Sequence, residues 1–482
     1  MSVGLPSRAG FVSRVGFLGL SCLAIACSSP AAPEAKGAPP PTTSAALPEA
    51  GPAPEVKSAE PTKWADDLPG ALAEARQAGK LVLVDAWATW CHTCLSMKNY
   101  VLTDPSLGGY RERLIFVELD TDREVNADFM ERYAVEMLPS FFVLDGEGAV
   151  LGMWPGSASV AELRGFLDGS IEAHEALSGE ATGGPVEALV RARRFHAESK
   201  HREAAAAYAE ALRRAPPDWP RESEVLKGWL GSLARAGQAR ECVRVGMEHL
   251  GKVRGASIPA DFALQLMSCA EGLRDRAAIQ RTAKAVTARL TALLEVPPVE
   301  MSPDDVADAL RILGYAHSLL GDKAAQRAAD QRGLEVLEAA AKAAPEPELQ
   351  ATFDSGRAAA YLQLGRVQEA LEMLEARERQ LPTSAEAPAR LSLVYQRLGR
   401  SQDAIDAIAR AVKLANGPRR LMYLERQASF QIAAKRYADA VTTLEAEVAG
   451  WAALTGRRAR PQALAAAKQR LEQARRQAAS AP

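Results

Sequence analysis

The pattern of hydrophobic and polar positions changes character near residue 180. Before it, short apolar runs alternate with amphipathic stretches, which predicts buried strands interleaved with helices. The predicted strands are 81–87, 114–119, 140–144 and 149–154, and the predicted helices are 64–78, 91–102, 126–133 and 160–176. After residue 184, the apolar positions recur as they do in paired amphipathic helices. We therefore expect an α/β domain with a central mixed sheet over 63–178, a linker at 179–184 and an all-α region over 185–478.

The helical region contains an internal repeat. Gly365 and Gly399 each close the first helix of a pair and lie 34 residues apart, which is the tetratricopeptide length. The positions that resemble tetratricopeptide (TPR) repeats are Ala358, Tyr361, Ala370 and Pro382 in one unit and Leu391, Tyr395, Ala404 and Ala411 in the next. The resemblance implies a TPR-like solenoid, with irregular units between 255 and 300, whose curved surface binds a protein partner. A purely architectural role is the alternative.

The first 62 residues have no pattern of a folded domain. Arg8 and Arg14 precede an uncharged, mostly apolar stretch at 15–26, which has the size of a signal-peptide core and is too short to span a bilayer. The small residues before Cys27 resemble the lipidation motif of bacterial lipoproteins, with Cys22 as a weaker second choice. Ordinary signal cleavage is the alternative. Residues 27–62 are rich in proline and alanine and predict a disordered tether.

Composition narrows the choice of function and compartment. The 482 residues are 48% apolar and carry a formal net charge of -2, so a nucleic-acid partner is not expected. The cysteines are Cys22, Cys27, Cys91, Cys94, Cys242 and Cys269. Because only Cys91 and Cys94 form a close pair, the chain is not predicted to be a disulfide-stapled scaffold. Cys242 and Cys269 fall on apolar helix faces and are predicted to be buried structural thiols.

The sequence Trp90-Cys91-His92-Thr93-Cys94 stands at a predicted strand-to-helix junction. The first turn of a helix favours a thiolate through its free N–H groups and its dipole. Cys91 is therefore the predicted nucleophile and Cys94 the resolving thiol of a redox disulfide. A haem attachment would need histidine after the second cysteine, where Leu95 stands. A structural zinc site would need two further ligands, so neither a cofactor nor a metal is predicted.

The stretch from Val84 to Cys94 resembles the active site of thioredoxins and, more closely, the C-terminal periplasmic domain of DsbD. The resemblance implies that Asp85 is the buried carboxylate that accepts a proton from Cys94. It also implies that Trp90 flanks the nucleophile and that Leu138-Pro139 is the cis-proline loop that binds an extended substrate. The dipeptide between the cysteines is His-Thr, and no glycine precedes Pro139. These departures imply that the substrate groove differs in shape from that of thioredoxins.

His92 has two interpretations. When protonated it would stabilise the Cys91 thiolate and make the pair more oxidising; otherwise it is an exposed residue that faces solvent or substrate. Reductase, isomerase and oxidase directions all suit the pair, and the DsbD resemblance favours the reductive one.

We therefore predict an exported thiol–disulfide oxidoreductase in the cell envelope, held at the membrane by lipidated Cys27. The expected partners are cysteine-containing exported proteins as substrates, a membrane electron donor of the DsbD or CcdA type, and a protein on the TPR-like surface. The alternative is a non-enzymatic envelope scaffold whose thioredoxin-like domain mainly binds clients. A reductant specialised for cytochrome c maturation is a third possibility.

Overall fold

A computed structural model describes residues 64–178 and 184–480. The predicted signal peptide, the tether, Cys22 and Cys27 lie outside these residues, as do residues 179–183 of the predicted linker. Within the described part of the chain, no helix combines the length and the apolarity that a bilayer crossing requires.

The first domain is built on a mixed sheet, as predicted, which has five strands rather than the four that the sequence indicated. Its strands are β1 (Trp64–Ala65), β2 (Leu81–Trp87), β3 (Leu114–Asp120), β4 (Ser140–Leu144) and β5 (Val150–Pro155), in the spatial order β1-β3-β2-β4-β5. The helices are α1 (Leu68–Ala78), α2 (His92–Ser96), α3 (Ala127–Arg132) and α4 (Val160–Ser178). A π-helical turn, Met97–Val101, continues α2, and 3-10 turns cover Pro105–Glu112 and Glu124–Asn126. Strands β1, β2 and β3 are parallel, whereas β4 is antiparallel to both β2 and β5.

The helix predicted at 64–78 begins later than expected. Trp64 and Ala65 instead pair with β3 as the edge strand β1. Asp67 then caps α1 by accepting a hydrogen bond from the Gly70 N–H, and Pro69 stands in the first turn. A side-chain cap followed by proline is a typical helix start. The helix predicted at 126–133 is likewise divided into a 3-10 turn and α3.

The central strand β2 is buried on both faces. Leu81 and Leu83 point into one apolar cluster, and Val82 and Val84 point into another on the opposite face. This explains the continuous apolar run in the sequence, because strands covered on both sides lose the alternation of polar and apolar positions. Because β2 packs on both faces, the segment that follows its carboxyl end begins from a fixed position.

The remaining chain is helical from Pro185 to Ser480. Its α-helices are α5 (Pro185–Ala197), α6 (His201–Arg214), α7 (Glu222–Arg235), α8 (Ala239–His249), α9 (Ile258–Gly272), α10 (Arg276–Glu295), α11 (Pro303–Leu320), α12 (Lys323–Ala343), α13 (Pro347–Ala351), α14 (Asp354–Leu364), α15 (Val367–Gln380), α16 (Glu386–Arg397), α17 (Ser401–Leu414), α18 (Gly417–Ala433), α19 (Tyr437–Ala453) and α20 (Pro461–Ser480). A 3-10 turn covers Gly456–Arg458. Successive helices pack against one another along the chain, so this region is an all-α, TPR-like solenoid.

The glycines that revealed the repeat end their helices as predicted. Gly365 has φ 80° and follows α14, and Gly399 has φ 73° and lies just past α16. A left-handed residue closes a helix by offering its N–H to the last turn, and glycine adopts this conformation without strain.

The solenoid wraps around the first domain. Helix α5 covers the edge of the sheet, where Arg193 and Arg194 donate hydrogen bonds to the carbonyls of Leu151 and Val150, at 3.1 and 3.0 Å. Much later in the chain, the backbone N–H of Arg457 donates to Glu131 at 2.7 Å. Contacts with the first domain therefore come from both ends of the repeat array.

The structure corrects the prediction for Cys242 and Cys269. Both side chains are buried, as expected, with exposures of 0% and 4%, but they form a disulfide between α8 and α9 rather than two thiols. Their sequence separation of 27 residues concealed the pairing, because it depends on how two helices pack in an irregular part of the array.

Candidate redox site

Cys91 and Cys94 are joined in a disulfide at the start of α2, just after β2 ends. Cys91 is the residue before the helix, and its Sγ accepts a hydrogen bond from the Cys94 N–H at 3.1 Å. Once the disulfide is reduced, that same N–H can stabilise a Cys91 thiolate. Cys91 is 6% exposed and Cys94 is 1% exposed. Cys91 is therefore placed as the sulfur that a substrate meets first, with Cys94 behind it.

Asp85 lies in β2, on the strand that leads to the pair. Its side chain is 5% exposed, and Oδ1 has no hydrogen-bond partner. Burial, and then the neighbouring Glu118 carboxylate, raise the pKa of Asp85 to about 8, while Lys98 acts in the opposite direction. Lys98 is 2.6 Å from Glu118 and so partly neutralises it. A carboxyl group with a pKa near 8 can accept and return a proton at neutral pH.

The predicted proline loop lies against the cysteines. The Leu138–Pro139 peptide bond is cis, as the resemblance implied. Leu138 packs against the cluster that Cys91 and Cys94 form with Ala88. The Pro139 carbonyl already accepts a hydrogen bond from the Gly156 N–H at 2.9 Å. The role of this loop in binding substrate stays a prediction.

Trp90 is held from two sides. Its Nε1 donates a hydrogen bond to Asp122 at 2.7 Å, and the Arg419 guanidinium lies 4.7 Å from the centre of its ring. Arg419 in turn donates to the Tyr423 hydroxyl at 2.9 Å, and that hydroxyl donates to Glu386 at 2.7 Å. Burial raises the pKa of Asp122 to about 6, although the hydrogen bond from Trp90 opposes the shift. The Trp90 indole, next to Cys91 in the chain, is therefore contacted by residues of both domains.

His92 contacts the solenoid rather than facing solvent. Its Nδ1 lies 3.2 Å from Oδ1 of Asp304 near the start of α11, and its side chain is 30% exposed. Burial alone would lower the pKa of His92, but the charge and hydrogen bond of Asp304, together with Asp308, raise it to about 9. Arg311 acts in the opposite direction. Of the two interpretations of His92, the geometry favours the charged one.

Three residues around the site were missed in the sequence: Asp122, Asp304 and Arg419. Asp122 follows β3, the parallel neighbour of β2, and residues after adjacent parallel strands meet at one edge of a sheet. That rule could have identified it. Asp304 and Arg419 come from repeat helices far along the chain, and only the way the solenoid wraps brings them here.

Glu136, His196 and His201 have the composition of a metal centre, with ligand atoms within 4.8 Å of one another. However, Arg235 lies 3.0 Å from Glu136 Oε2, so a guanidinium already neutralises the carboxylate. We describe this cluster as an ion-pair network that ties the loop before Pro139 to α5, α6 and α7. The group of His92, Asp304 and Asp308 likewise contains its own counter-charge, since Arg311 is 3.0 Å from Asp308.

Similarity to known proteins supports the assignment of the first domain as thioredoxin-like. Residues 68–170 match the family model described as a thioredoxin-like domain. Over 101 residues, the chain is 37% identical to a thiol:disulfide interchange protein DsbD of Pseudomonas aeruginosa, covering 20% of this chain and 15% of that protein. It is 30% identical over 88 residues to a thioredoxin H-type of Oryza sativa subsp. indica, covering 17% of this chain and 66% of that protein. The chain therefore carries a thioredoxin-like domain, and it spans about a seventh of the length of the DsbD relative.

A tetratricopeptide repeat protein from Parabacteroides merdae aligns with 60% of this chain and 98% of its own length, at 13% identity and a TM-score of 0.40.

Proposed function

We propose that this protein is an exported thiol–disulfide oxidoreductase that acts mainly as a disulfide reductase, with Cys91 and Cys94 as its redox couple. The observation that carries the proposal is the placement of the Cys91–Cys94 disulfide at the start of α2, against the Leu138–Pro139 loop and directly after β2, the strand that carries buried Asp85. The similarity to DsbD supports the same chemistry.

The reaction follows from the placement of these groups. The Cys91 thiolate attacks a substrate disulfide, forms a mixed disulfide and releases one substrate sulfur as a thiolate that takes up a proton. Cys94 then gives its proton to Asp85 and attacks Cys91, which breaks the mixed disulfide and releases the second substrate sulfur. The substrate gains two electrons and two protons, while Cys91 and Cys94 become a disulfide. Each further cycle needs a dithiol donor, and we propose a membrane protein of the DsbD or CcdA type.

We also propose that the protein works in the cell envelope, facing the periplasm, with lipidated Cys27 as its anchor. The Cys242–Cys269 disulfide supports an oxidising compartment, because structural disulfides persist mainly in exported proteins. Labelling with a radioactive fatty acid tests the anchor: Cys27→Ala should abolish the label, whereas Cys22→Ala should retain it. Loss of label only in Cys22→Ala would move the anchor to Cys22.

Trapping of mixed disulfides tests the enzymatic proposal. In the full-length protein, Cys94→Ala should leave Cys91 unable to release its substrates, so adducts that disappear on reduction should accumulate. The matched control is Cys91→Ser combined with Cys94→Ala, which should trap nothing. The proposal is wrong if Cys94→Ala traps no more than this control and the wild type does not reduce insulin.

The second candidate function is a scaffold that binds clients without redox turnover. Its support is that the surface around Trp90 and His92 already packs against the solenoid, as a protein-binding face would. A scaffold would retain its clients when both cysteines are replaced, whereas a reductase would lose covalent capture. Recovery of the same partners by Cys91→Ser/Cys94→Ala and by Cys94→Ala would favour the scaffold.

A further inference from the structure

The solenoid meets the redox site through the starts of helices α11, α14 and α18. Asp304 lies at the start of α11, Phe353 directly before α14, and Arg419 in the first turn of α18. Each touches a different part of the first domain: Asp304 touches His92, the ring of Phe353 is 5.8 Å from that of Tyr100, and Arg419 lies over Trp90. The repeat array therefore contacts residues just before α2, at its start and just after its end.

Asp304 is a solenoid residue that contacts His92, the first residue between the two cysteines. Its side chain is only 7% exposed, and it lies in the first turn of α11, in which Asp305 completes a capping box with Ser302. That cap fixes the backbone of this turn and so holds the Asp304 backbone opposite His92. Other charged groups near the ring are Asp308 and Arg311 on the same helix. Burial, and to a lesser degree the charge of Asp304, raise the pKa of neighbouring Asp305 to about 7, and Tyr100 from the first domain lies in the field of Asp304.

We propose that Asp304 is a positioning residue of the redox site, supplied by the repeat array, which keeps His92 as a cation next to Cys91 and so favours the Cys91 thiolate. This inference rests on the proposed oxidoreductase function. It assigns the solenoid a role in setting the reduction potential of the Cys91–Cys94 couple. Ionised Asp304 and protonated His92 form a neutral pair. Its positive member is the residue directly bonded to Cys91, so the pair stabilises negative charge on that sulfur. A stabilised thiolate favours the dithiol over the disulfide and makes the couple more oxidising.

The effect should depend on pH in a defined way. With Asp304 present, His92 is a cation at all pH values below about 9. Without that carboxylate, burial would lower the pKa of His92, while Asp308 and Arg311 would act on it in opposite directions. The two forms therefore differ in charge next to Cys91 only in a pH window whose upper end is about 9. Below this window His92 is protonated in both, and above it His92 is neutral in both.

The test uses the full-length protein with Asp304→Asn, His92→Gln and the double variant. The occupancy of the Cys91–Cys94 disulfide is measured by mass spectrometry after equilibration with glutathione buffers, and the pKa of Cys91 is measured from its alkylation rate. At pH 7.5 we expect Asp304→Asn to shift the equilibrium towards the disulfide about tenfold, which corresponds to about 30 mV. The pKa of Cys91 should rise. His92→Gln should give a similar shift, and the double variant should add little.

Two controls separate this effect from altered folding. Asp304→Glu retains the carboxylate and should restore the wild-type equilibrium. Glu124→Gln removes another interdomain ion pair, with Arg458, and should leave the couple unchanged. If Asp304→Asn does not fold, a wild-type equilibrium in His92→Gln overturns the proposal by itself.

The inference is wrong if Asp304→Asn leaves the equilibrium and the Cys91 pKa unchanged, or if it shifts them equally when His92 is already glutamine. Failure of the oxidoreductase proposal would be a different result, in which the wild-type pair does not exchange with glutathione at all. A wild type that exchanges normally, together with an inert Asp304, rejects only the inference.

Discussion

Within residues 64–178 and 184–480, the same covalent bond occurs in two very different settings. The Cys91–Cys94 disulfide lies at the first turn of α2. The Cys94 N–H donates a hydrogen bond to Cys91 Sγ, and Asp85, whose Oδ1 has no hydrogen-bond partner, lies on the preceding strand β2. Cys242–Cys269 joins two repeat helices inside an apolar cluster that includes Leu230, Val245 and Leu266. The chemistry therefore depends on the surroundings. The first pair is placed to make and break its bond, whereas the second is placed to keep it.

The largest expected contrast is in turnover. Cys91→Ser removes the attacking thiolate and should lower insulin reduction by at least about a thousandfold. The matched change in the other pair, Cys242→Ala with Cys269→Ala, should leave turnover near the wild-type rate. If both variants lose activity equally while remaining folded, the two disulfides are not functionally different.

The second contrast is in stability. Removing Cys242–Cys269 with a double alanine substitution should destabilise the array by roughly 3 kcal/mol, the usual value for a loop of this size. Urea unfolding followed by circular dichroism measures the change, and wild-type protein unfolded with a reductant should approach the variant. Identical midpoints for wild type with and without reductant would mean that this bond does not stabilise the fold.

A smaller effect is expected for Asp85, on the strand that leads to the redox pair. Asp85→Asn removes the proposed proton acceptor for Cys94 and should slow release of the mixed disulfide about tenfold. In the wild type this rate should rise with pH through about 8, where Asp85 ionises, whereas the variant should lack that inflection. Glu147→Gln, a carboxyl group that is 77% exposed, is the control. A variant with the wild-type profile would remove Asp85 from the mechanism.

The same aspartate should affect stability in a known direction. Its pKa in the folded protein, about 8, lies above the ordinary value of 3.8, so the folded state holds the proton more tightly than the unfolded state does. Asp85 therefore reduces stability progressively as the pH rises from about 4 towards 8. We expect Asp85→Asn to unfold at a higher temperature than the wild type at pH 8, and to differ little at pH 4.

The smallest expected effect concerns the boundary between the two regions. Arg419→Ala removes a guanidinium from the face of Trp90, a contact worth about 1 kcal/mol. We expect KM for a protein disulfide to rise about fivefold, with little change for glutathione, which is too small to use the wider surface. Lys413→Ala, a change on the adjacent helix α17, serves as the control. An equal effect on both substrates would mean that Arg419 does not select protein substrates.

The sequence predicted the parts of the molecule that local patterns encode. The apolar run of β2 and the Cys-x-x-Cys spacing placed the redox pair at the correct junction, and Gly365 and Gly399 placed the helix ends. These features depend on neighbouring residues, so periodicity and turn chemistry were sufficient.

What the sequence did not predict depends on long-range packing. The Cys242–Cys269 bond requires α8 and α9 to meet at one particular depth, and the contacts of Asp304 and Arg419 require a whole solenoid to wrap around the first domain. Spacing along the chain carries no record of such contacts, so His92 was expected to face solvent or substrate at least as readily as to act as a cation.

One measurement tests the central contrast directly. The native, full-length oxidised protein is exposed to increasing ratios of reduced to oxidised glutathione, free thiols are alkylated, and each cysteine peptide is quantified by mass spectrometry. The account predicts that Cys91 and Cys94 become alkylated together at moderate ratios, while Cys242 and Cys269 stay protected until the protein is unfolded. Simultaneous reduction of both pairs in the folded protein, or reduction of Cys242–Cys269 first, would contradict it.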